Sequence, residues 1–332
     1  MSTRRLFQYH PVVGHTYVPG LRARIPHESG GYLIKCNQAG FRSSTEFVKK
    51  KSENKFRILL FGDSFTAGDG VSNQYRYSDL LPSLLGNSVE VYNFGLSGTG
   101  TDQQYLCYRE FAKDIEADLL VLGIYVENIR RNVAHYRPFL DNDDVVRYYP
   151  KPWYELSGDG SLRLNGVPLS RYPSNPSALP YSERATIDRS GRYVRLRRFV
   201  RKLGNNPVQI IQRLSRYQPL PNYSNAQNYD WRLMHAIVNL WANNVSIPVL
   251  LFPIPIHQYV ENTANPRPMR TRFQELAEVS SCHLIDPLPD LWLRSTADRR
   301  QFRFENDSHL TKSGHEALAL VLSKSISKLF HI

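Results

Sequence analysis

Residues 57–66 read Arg-Ile-Leu-Leu-Phe-Gly-Asp-Ser-Phe-Thr, an apolar run that ends abruptly in turn residues. A run of this length and composition is typical of a strand that is buried on both faces of a sheet. Similar runs end at Asn93, Gly123, Pro253 and Asp286. The sequence therefore predicts five buried strands, which is the pattern of a sheet covered by helices.

Helix-length segments separate the predicted strands and follow the last one. This alternation favours a mainly parallel sheet with right-handed crossovers, whose ligand sites lie at the carboxyl ends of the strands. It assigns residues 51–136 and 229–332 to one α/β domain. The predicted helices span Tyr77–Leu85, Thr101–Lys113, Tyr229–Asn243, Met269–Ser280 and Thr311–Phe330.

Two regions depart from the alternation. Residues 1–50 are rich in turn residues and are interpreted as an N-terminal embellishment packed on the domain. Residues 137–228 form a long insertion, in which residues 153–164 are typical of a hairpin with a Gly-Asp-Gly turn. A proline-rich loop and a basic helix follow the hairpin. Because long loops beside a strand end are usually functional, we interpret the insertion as a lid or a partner surface.

The charge of the chain is concentrated in the insertion. The 332 residues include 42 Lys and Arg against 30 Asp and Glu, which leaves a net charge of +12. Residues 184–217 hold ten of the cations and one acid. Within them, Arg192–Leu203 has a basic amphipathic pattern that fits an anionic membrane surface, an acyl carrier, an acidic substrate or a solvated helix. Nucleic acid is disfavoured as a partner because no recognised binding motif accompanies the charge.

Several other classes of protein are disfavoured. No apolar run approaches the roughly 18 residues that a membrane span requires. The first residues lack the apolar core of a signal peptide. Cys36, Cys107 and Cys282 are widely separated and indicate reduced, buried thiols rather than disulfides or a zinc site. We therefore expect a cytoplasmic protein.

Four short motifs carry the chemistry. Ser64 follows the first strand at a glycine-marked turn, where its hydroxyl can face a ligand. Gly98 lies in a glycine-rich loop after the second strand and Asn128 follows the third, so that a backbone amide and a carboxamide could donate to an oxyanion. Asp307 precedes His309 by two residues and could orient its imidazole as a general base. Each motif alone also has an ordinary structural explanation.

Together and in this order, the motifs resemble those of the SGNH (GDSL-type) hydrolase family over roughly residues 56–128 and 247–330. The resemblance implies a flavodoxin-like three-layer α/β/α sandwich with a mainly parallel five-stranded sheet. It also implies that Ser64 attacks an acyl carbonyl, that His309 takes its proton and that Asp307 holds the His309 tautomer. The oxyanion hole would be formed by the Ser64 amide, the Gly98 amide and the Asn128 side chain.

The sequence departs from the family pattern at two positions. Ile129 replaces the aspartate that usually follows the family's asparagine, and Asn306 stands where the family places the acid before its histidine. Asp307 supplies an acid one position later, so either Asp307 or Asn306 could orient the imidazole. Asn132 remains a competing amide donor for the oxyanion. His315 is interpreted as a packing or surface residue rather than as a metal ligand.

The predicted function is that of a serine ester hydrolase that needs neither a metal nor another cofactor. The expected substrate is an ester that carries a small O-acyl group on a carbohydrate or another polar metabolite. An acidic substrate is also compatible with the sequence. An O-acyltransferase with the same residues and a hydroxyl acceptor is an alternative, as is a non-catalytic protein that binds a membrane or polyanion. The substrate expectation rests on aromatic residues of the insertion, namely Trp153, Tyr154, Tyr172, Tyr181 and Tyr193.

Overall fold

A computed structural model of the chain describes residues 6–140, 146–174 and 217–332. The predicted basic helix Arg192–Leu203 lies outside the described residues, as do Tyr181 and Tyr193. The strands are β1 (Phe7–His10), β2 (Gly14–Tyr17), β3 (Arg22–Ile25), β4 (Tyr32–Lys35), β5 (Phe56–Gly62), β6 (Val89–Asn93), β7 (Leu119–Tyr125), β8 (Tyr136–Leu140), β9 (Val146–Pro150), β10 (Trp153–Leu156), β11 (Leu162–Asn165), β12 (Val249–Ile254) and β13 (His283–Leu284). The helices are α1 (Ser64–Ala67), α2 (Tyr77–Leu85), α3 (Thr101–Phe111), α4 (Ile129–Asn132), α5 (Tyr229–Asn243), α6 (His257–Val260), α7 (Arg267–Val279), α8 (Leu288–Trp292), α9 (Thr296–Arg300) and α10 (Lys312–Phe330).

The five predicted buried strands form one parallel sheet in the order β13-β12-β7-β5-β6. Every residue of β7 and β12 is buried, and so is every residue of β5 after Phe56. This burial on both faces explains why these strands read as continuous apolar runs rather than as alternating ones. At the edge of the sheet, β13 contains only His283 and Leu284.

The helices cover both faces of the sheet. The chain moves from β5 outward to β6 and then back past β5 to β7, so right-handed connections place α2 and α3 on opposite faces. Accordingly α2 packs against α10, whereas α3 packs against α5, which in turn packs against α7. The predicted three-layer α/β/α sandwich is thereby confirmed.

Helix α5 shows how the sequence anchors the sheet. The Asn228 side chain caps α5 by accepting a hydrogen bond from the Asp230 amide at 3.0 Å. The α5 residue Trp241 is fully buried, and its ring lies edge-on to Phe61 of β5 at 5.2 Å between centroids. Burying an aromatic pair of this size stabilises the contact between helix and sheet. Helix α5 therefore packs firmly on strand β5, which leads into Ser64.

The regions outside the sandwich form hairpins. In the N-terminal region β1 pairs with β2 and β3 with β4, and in the insertion β8 pairs with β9 and β10 with β11. The β10–β11 hairpin lies where the sequence predicts one. On β2, His15 Nε2 lies 3.1 Å from the Ser97 carbonyl oxygen, and the Tyr17 hydroxyl lies 2.6 Å from Ser97 Oγ. The N-terminal region thus supports the loop that follows β6.

The three cysteines are expected to be reduced and buried, and the structure agrees with this in part. Cys36, Cys107 and Cys282 are all free, and the first two are buried. Cys282 is only partly buried, because it lies beside the short edge strand β13. Within the described ranges, no helix combines the length and the apolar character needed to cross a bilayer.

Candidate active site

Ser64 is the first residue of α1 and lies at the carboxyl edge of the sheet, directly beyond β5. The Asp63 side chain caps this short helix by accepting a hydrogen bond from the Phe65 amide at 3.0 Å. The turn requires glycine at position 62, because a Cβ on Gly62 would lie 2.0 Å from Thr66 Oγ1. The tight turn holds the Ser64 hydroxyl in a defined position at the edge of the sheet.

His309 lies between Ser64 and Asp307. Its Nε2 is 2.8 Å from Ser64 Oγ, and its Nδ1 is 2.6 Å from Asp307 Oδ1. The His309 amide also donates to Asp307 Oδ1 at 3.1 Å, which closes a turn that the two-residue spacing permits. Because Asp307 accepts a hydrogen bond from Nδ1–H of His309, Nε2 is left to accept the proton of the Ser64 hydroxyl.

The charges around His309 determine its proton affinity. Burial lowers the pKa of His309, but the hydrogen bond with Asp307 and the nearby charges of Asp69, Asp307 and Asp63 outweigh it, and the pKa is raised. Burial acts in the opposite sense on Asp307, yet the hydrogen bonds from His309 and His27 hold the pKa of its carboxyl well below the usual range. The site therefore stabilises the positive charge that His309 gains when it takes up a proton beside the ionised Asp307 carboxylate.

Asn306 and His315 do not take part in this chain of hydrogen bonds. The Asn306 amide donates to Glu28 Oε1 at 3.1 Å, and its side-chain Nδ2 donates to Glu28 Oε2 at 3.1 Å. His315 is buried, and its Nδ1 accepts a hydrogen bond from the Tyr77 amide at 3.3 Å. Burial lowers the pKa of His315 to about 3, so the ring is neutral. The structure therefore places Asp307, not Asn306, against His309.

Asn128 has the properties of an unused hydrogen-bond donor. Its exposed fraction is 0%, and neither its Oδ1 nor its Nδ2 has a hydrogen-bond partner among the described residues. Buried amides are nearly always paired, so this carboxamide beyond β7 is suited to a ligand. Asn132 differs, because its Oδ1 accepts a hydrogen bond from the Asp102 amide at 3.4 Å, although its Nδ2 is likewise unpaired within the described part.

The loop of residues 94–100, here called the glycine loop, follows β6 beside the Ser64 turn. The Leu96 amide donates to the Gly62 carbonyl oxygen at 3.0 Å, which fixes the loop to that turn. Gly98 has a φ of +73°, a left-handed conformation that favours glycine. The Arg137 guanidinium occupies the space beside it, since a Cβ on Gly98 would lie 1.6 Å from Arg137 Nη2.

Three further residues adjoin the site without any signal in the sequence. His27 Nε2 lies 3.2 Å from Asp307 Oδ2, and His27 Nδ1 accepts a hydrogen bond from the Ser29 amide, so Nε2 carries the proton that His27 donates. Arg131 Nη1 lies 2.7 Å from Asp63 Oδ2. Arg137 reaches the glycine loop from β8. His27 and Asp307 are 280 positions apart, which explains why local patterns do not reveal the contact.

The aromatic residues expected near the substrate have different environments. Tyr154 is buried in the core, with its ring centroid 6.4 Å from that of Tyr105. Trp153 stacks on His135 with ring centroids 4.0 Å apart, and Tyr172 is 75% exposed. Across the described ranges, no group of three or more His, Cys, Asp and Glu side chains could hold a metal ion.

The three-layer sandwich and the motifs at its edge are those of the SGNH class of ester-hydrolysing enzymes. A family model described as the GDSL-like Lipase/Acylhydrolase family matches residues 60–317, which is most of the chain. The chain therefore belongs to this family, and it is an enzyme of the acylhydrolase or esterase type.

Several solved structures are similar to this chain at low sequence identity. A member of the lipolytic protein G-D-S-L family from Veillonella parvula DSM 2008 is 12% identical, with 82% of this chain and 99% of that chain covered and a TM-score of 0.44. A lipase/acylhydrolase from Enterococcus faecalis is 13% identical, with coverages of 82% and 96% and a TM-score of 0.42. An acetyl xylan esterase, AlAXEase, is 13% identical, with coverages of 82% and 100% and a TM-score of 0.44. None of the curated proteins matches the chain.

Proposed function

We propose that the chain is a serine esterase that removes a small O-acyl group from a carbohydrate or another polar metabolite. The observation that carries this proposal is the continuous hydrogen-bonded chain from Ser64 Oγ through His309 to Asp307, with distances of 2.8 and 2.6 Å. A nucleophile, a base and an orienting carboxylate in this order are the requirements of acyl transfer through a covalent intermediate.

The reaction proceeds in two halves. Ser64 Oγ attacks the ester carbonyl carbon while its proton passes to His309 Nε2, and the alcohol then leaves with that proton. Water attacks the resulting acyl-serine with His309 again as the base, and the carboxylic acid leaves as the Ser64 hydroxyl is restored. Asp307 stabilises the imidazolium in both halves. The Ser64 amide, the Gly98 amide and the Asn128 carboxamide donate to the oxyanion.

The surroundings of Ser64 support a small acyl group and a polar alcohol. Phe65 stacks on Tyr125 with ring centroids 3.9 Å apart and lies 5.0 Å from the His309 ring. We infer from these packed rings that a short acyl group is preferred to a long chain. Arg131 is a third exposed at the same edge and favours a polar or charged alcohol.

A serine-reactive fluorophosphonate tests the nucleophile directly. We expect the probe to label the wild-type protein and the Ser83→Ala variant, whose substitution removes an exposed hydroxyl on α2, but not the Ser64→Ala variant. Labelling of Ser64→Ala at the wild-type rate would exclude Ser64 as the nucleophile.

The acyl preference is tested with 4-nitrophenyl acetate and 4-nitrophenyl decanoate. We expect a higher kcat/KM for the acetate, and a large preference for the decanoate would contradict the small-acyl proposal. Product analysis with an added sugar alcohol distinguishes release of free acid from acyl transfer to the hydroxyl. Free acid as the main product supports the hydrolase, and the acyl sugar as the main product supports the O-acyltransferase.

A further inference from the structure

Arg137 is a partly buried cation beside the proposed oxyanion hole. It lies on β8, and its guanidinium packs directly on Gly98, where a Cβ would lie between 1.6 and 1.9 Å from Nη2, Cζ and Nη1. Arg137 Nη1 is buried and has no hydrogen-bond partner in the described part of the chain. A buried guanidinium N–H without an acceptor is strongly unfavourable unless a ligand provides one.

The neighbouring carboxylates offset the charge of this guanidinium only in part, because each is also bound by another group. Asp63 accepts a hydrogen bond from Arg131 Nη1 at 2.7 Å, and Asp69 accepts one from Ser97 Oγ at 2.8 Å. Burial and the positive charge of Arg131 outweigh the opposing effects of Asp69, Tyr17 and Asp63, and the pKa of Arg137 is lowered to about 9. Arg137 is still charged at neutral pH. An anion would remove both the repulsion and the unpaired donor.

The guanidinium is also held in place before any ligand binds. Arg137 Cζ lies 4.7 Å from the centroid of the Phe139 ring, and the Gly98 backbone covers another side. His15 cannot compete for an anion, because burial and the charge of Arg137 lower its pKa to about 3 and the ring stays neutral. A planar cation fixed in this way is suited to carboxylate, phosphate or sulfate oxygens.

We propose that Arg137 binds an anionic group of the ester substrate, and that the natural substrates therefore carry a carboxylate, phosphate or sulfate close to the scissile bond. The inference rests on the proposed function, since it is the assigned role of Gly98 that places Arg137 next to the reacting carbonyl. The anionic group can belong to the acyl part or to the alcohol part of the ester.

Two pairs of esters distinguish these sources. Monoethyl succinate and ethyl butyrate differ by a charge in the acyl part, whereas 4-acetoxybenzoate and its methyl ester differ by a charge in the alcohol part. In wild type we expect the anionic member of one pair to have the higher kcat/KM. The ratio of anionic to neutral kcat/KM should fall about 10- to 100-fold in Arg137→Met, as expected for the loss of a charge-assisted hydrogen bond.

Two variants make the result specific. Arg130→Met removes a neighbouring arginine that is exposed and pairs with Glu127 at 3.0 Å, and the ratio should keep its wild-type value. Arg137→Lys keeps the charge without the planar fork and should retain an intermediate ratio, which excludes a folding defect as the cause. An unchanged ratio in Arg137→Met would overturn the anion site while leaving ester hydrolysis intact.

A binding measurement separates failure of this inference from failure of the proposed function. If wild type hydrolyses none of the esters, the proposed function is wrong, and calorimetry with succinate and inorganic phosphate then tests the anion site alone. Binding to wild type that is lost in Arg137→Met and kept in Arg130→Met supports the site. Equal binding to all three proteins, or no binding to wild type, overturns it.

Discussion

At the scale of single residues, the Asp307 carboxylate accepts three hydrogen bonds. Its Oδ1 accepts hydrogen bonds from both the amide and the Nδ1 of His309, and its Oδ2 accepts one from His27. These three donors compensate the carboxylate for its partial burial and keep it ionised. The spacing of two residues between acid and histidine works because the histidine amide can close a turn onto the acid.

The raised pKa of His309 predicts the pH dependence of the reaction. A general base must be unprotonated, so kcat/KM should fall as the pH drops through the pKa of His309, which is above the usual value for histidine. Asp307→Ala removes the interactions that raise this pKa. In this variant we expect the fall of kcat/KM at acid pH to occur at a lower pH than in wild type. We also expect the maximal kcat/KM to be about 10³–10⁴-fold lower.

Asn306→Ala is the matched control for this profile. The Asn306 side chain contacts Glu28 rather than the imidazole. We therefore expect this variant to keep the wild-type pH dependence and the wild-type maximal kcat/KM. An acid limb that moves in Asn306→Ala and stays in place in Asp307→Ala would assign the orienting role to Asn306 instead.

Asn128→Ala should reduce kcat by about 10²–10³-fold with little change in KM, as expected for loss of an oxyanion donor. Because the Asn128 carboxamide has no partner among the described residues, its removal breaks no hydrogen bond of the fold. The free energy of unfolding should therefore not decrease through hydrogen-bond loss. Steady-state kinetics and urea unfolding check both expectations.

Asn132→Ala provides the comparison for Asn128. It removes the acceptor of the Asp102 amide, so we expect it to affect stability more than kcat. A larger loss of kcat in Asn132→Ala than in Asn128→Ala would assign the oxyanion contact to Asn132.

At the scale of elements, the glycine loop depends on two separate properties of Gly98. Its positive φ is unfavourable for a side chain, and its missing Cβ leaves the space that Arg137 fills. The loop therefore links strand β6 of the sandwich to strand β8 of the insertion at the edge where Ser64 lies.

Gly98→Ala and Gly160→Ala separate these two properties. Gly160 has a similar φ of +85°, but a Cβ there would meet no described atom within 4 Å, so its substitution costs only the backbone strain of about 1–2 kcal/mol. Gly98→Ala should destabilise the protein more and should reduce kcat/KM at least about tenfold, because the guanidinium is displaced. Urea unfolding and kinetics measure both.

A double variant identifies the clash as the cause. If Arg137 is what a methyl group at position 98 strikes, the double variant Gly98→Ala/Arg137→Ala should be more stable than the sum of the two single changes predicts. If the changes in the free energy of unfolding of the two single variants simply add in the double variant, the clash with Arg137 is not the reason for the lost stability.

At the scale of the whole molecule, a buried ion pair joins the insertion to the sandwich. Lys151 lies just before β10, and its Nζ contacts the Asp102 carboxylate at the start of α3 and donates to the Ala134 carbonyl oxygen at 2.9 Å. Both members of the pair are buried. The insertion is thus fixed near the active edge of the sheet by a contact between residues 49 positions apart.

Lys151→Met should lower the free energy of unfolding by about 3–5 kcal/mol, because it leaves the Asp102 charge buried and unpaired. Lys49→Met breaks an exposed pair with Asp114 and should cost no more than about 1 kcal/mol. Equal effects of the two substitutions in urea unfolding would contradict the anchoring role of Lys151.

Much of the fold follows from the order of residues alone. The buried strands of a parallel sheet have to be apolar on both faces, so β5, β7 and β12 are recognisable as short apolar runs between turn residues. Ser64, Gly98 and Asn128 are recognisable for a related reason, because they follow the neighbouring strands β5, β6 and β7. Their spacing in the chain reflects the geometry of the sheet edge.

Other features required the folded chain. The choice of Asp307 over Asn306 as the partner of His309 depends on where the N-terminal region places Glu28, which takes up the Asn306 side chain. His27 and Arg137 reach the site from outside the sandwich, across contacts that no local pattern encodes. Periodicity and turn residues report only nearby backbone geometry, whereas contacts between distant segments depend on how whole elements pack.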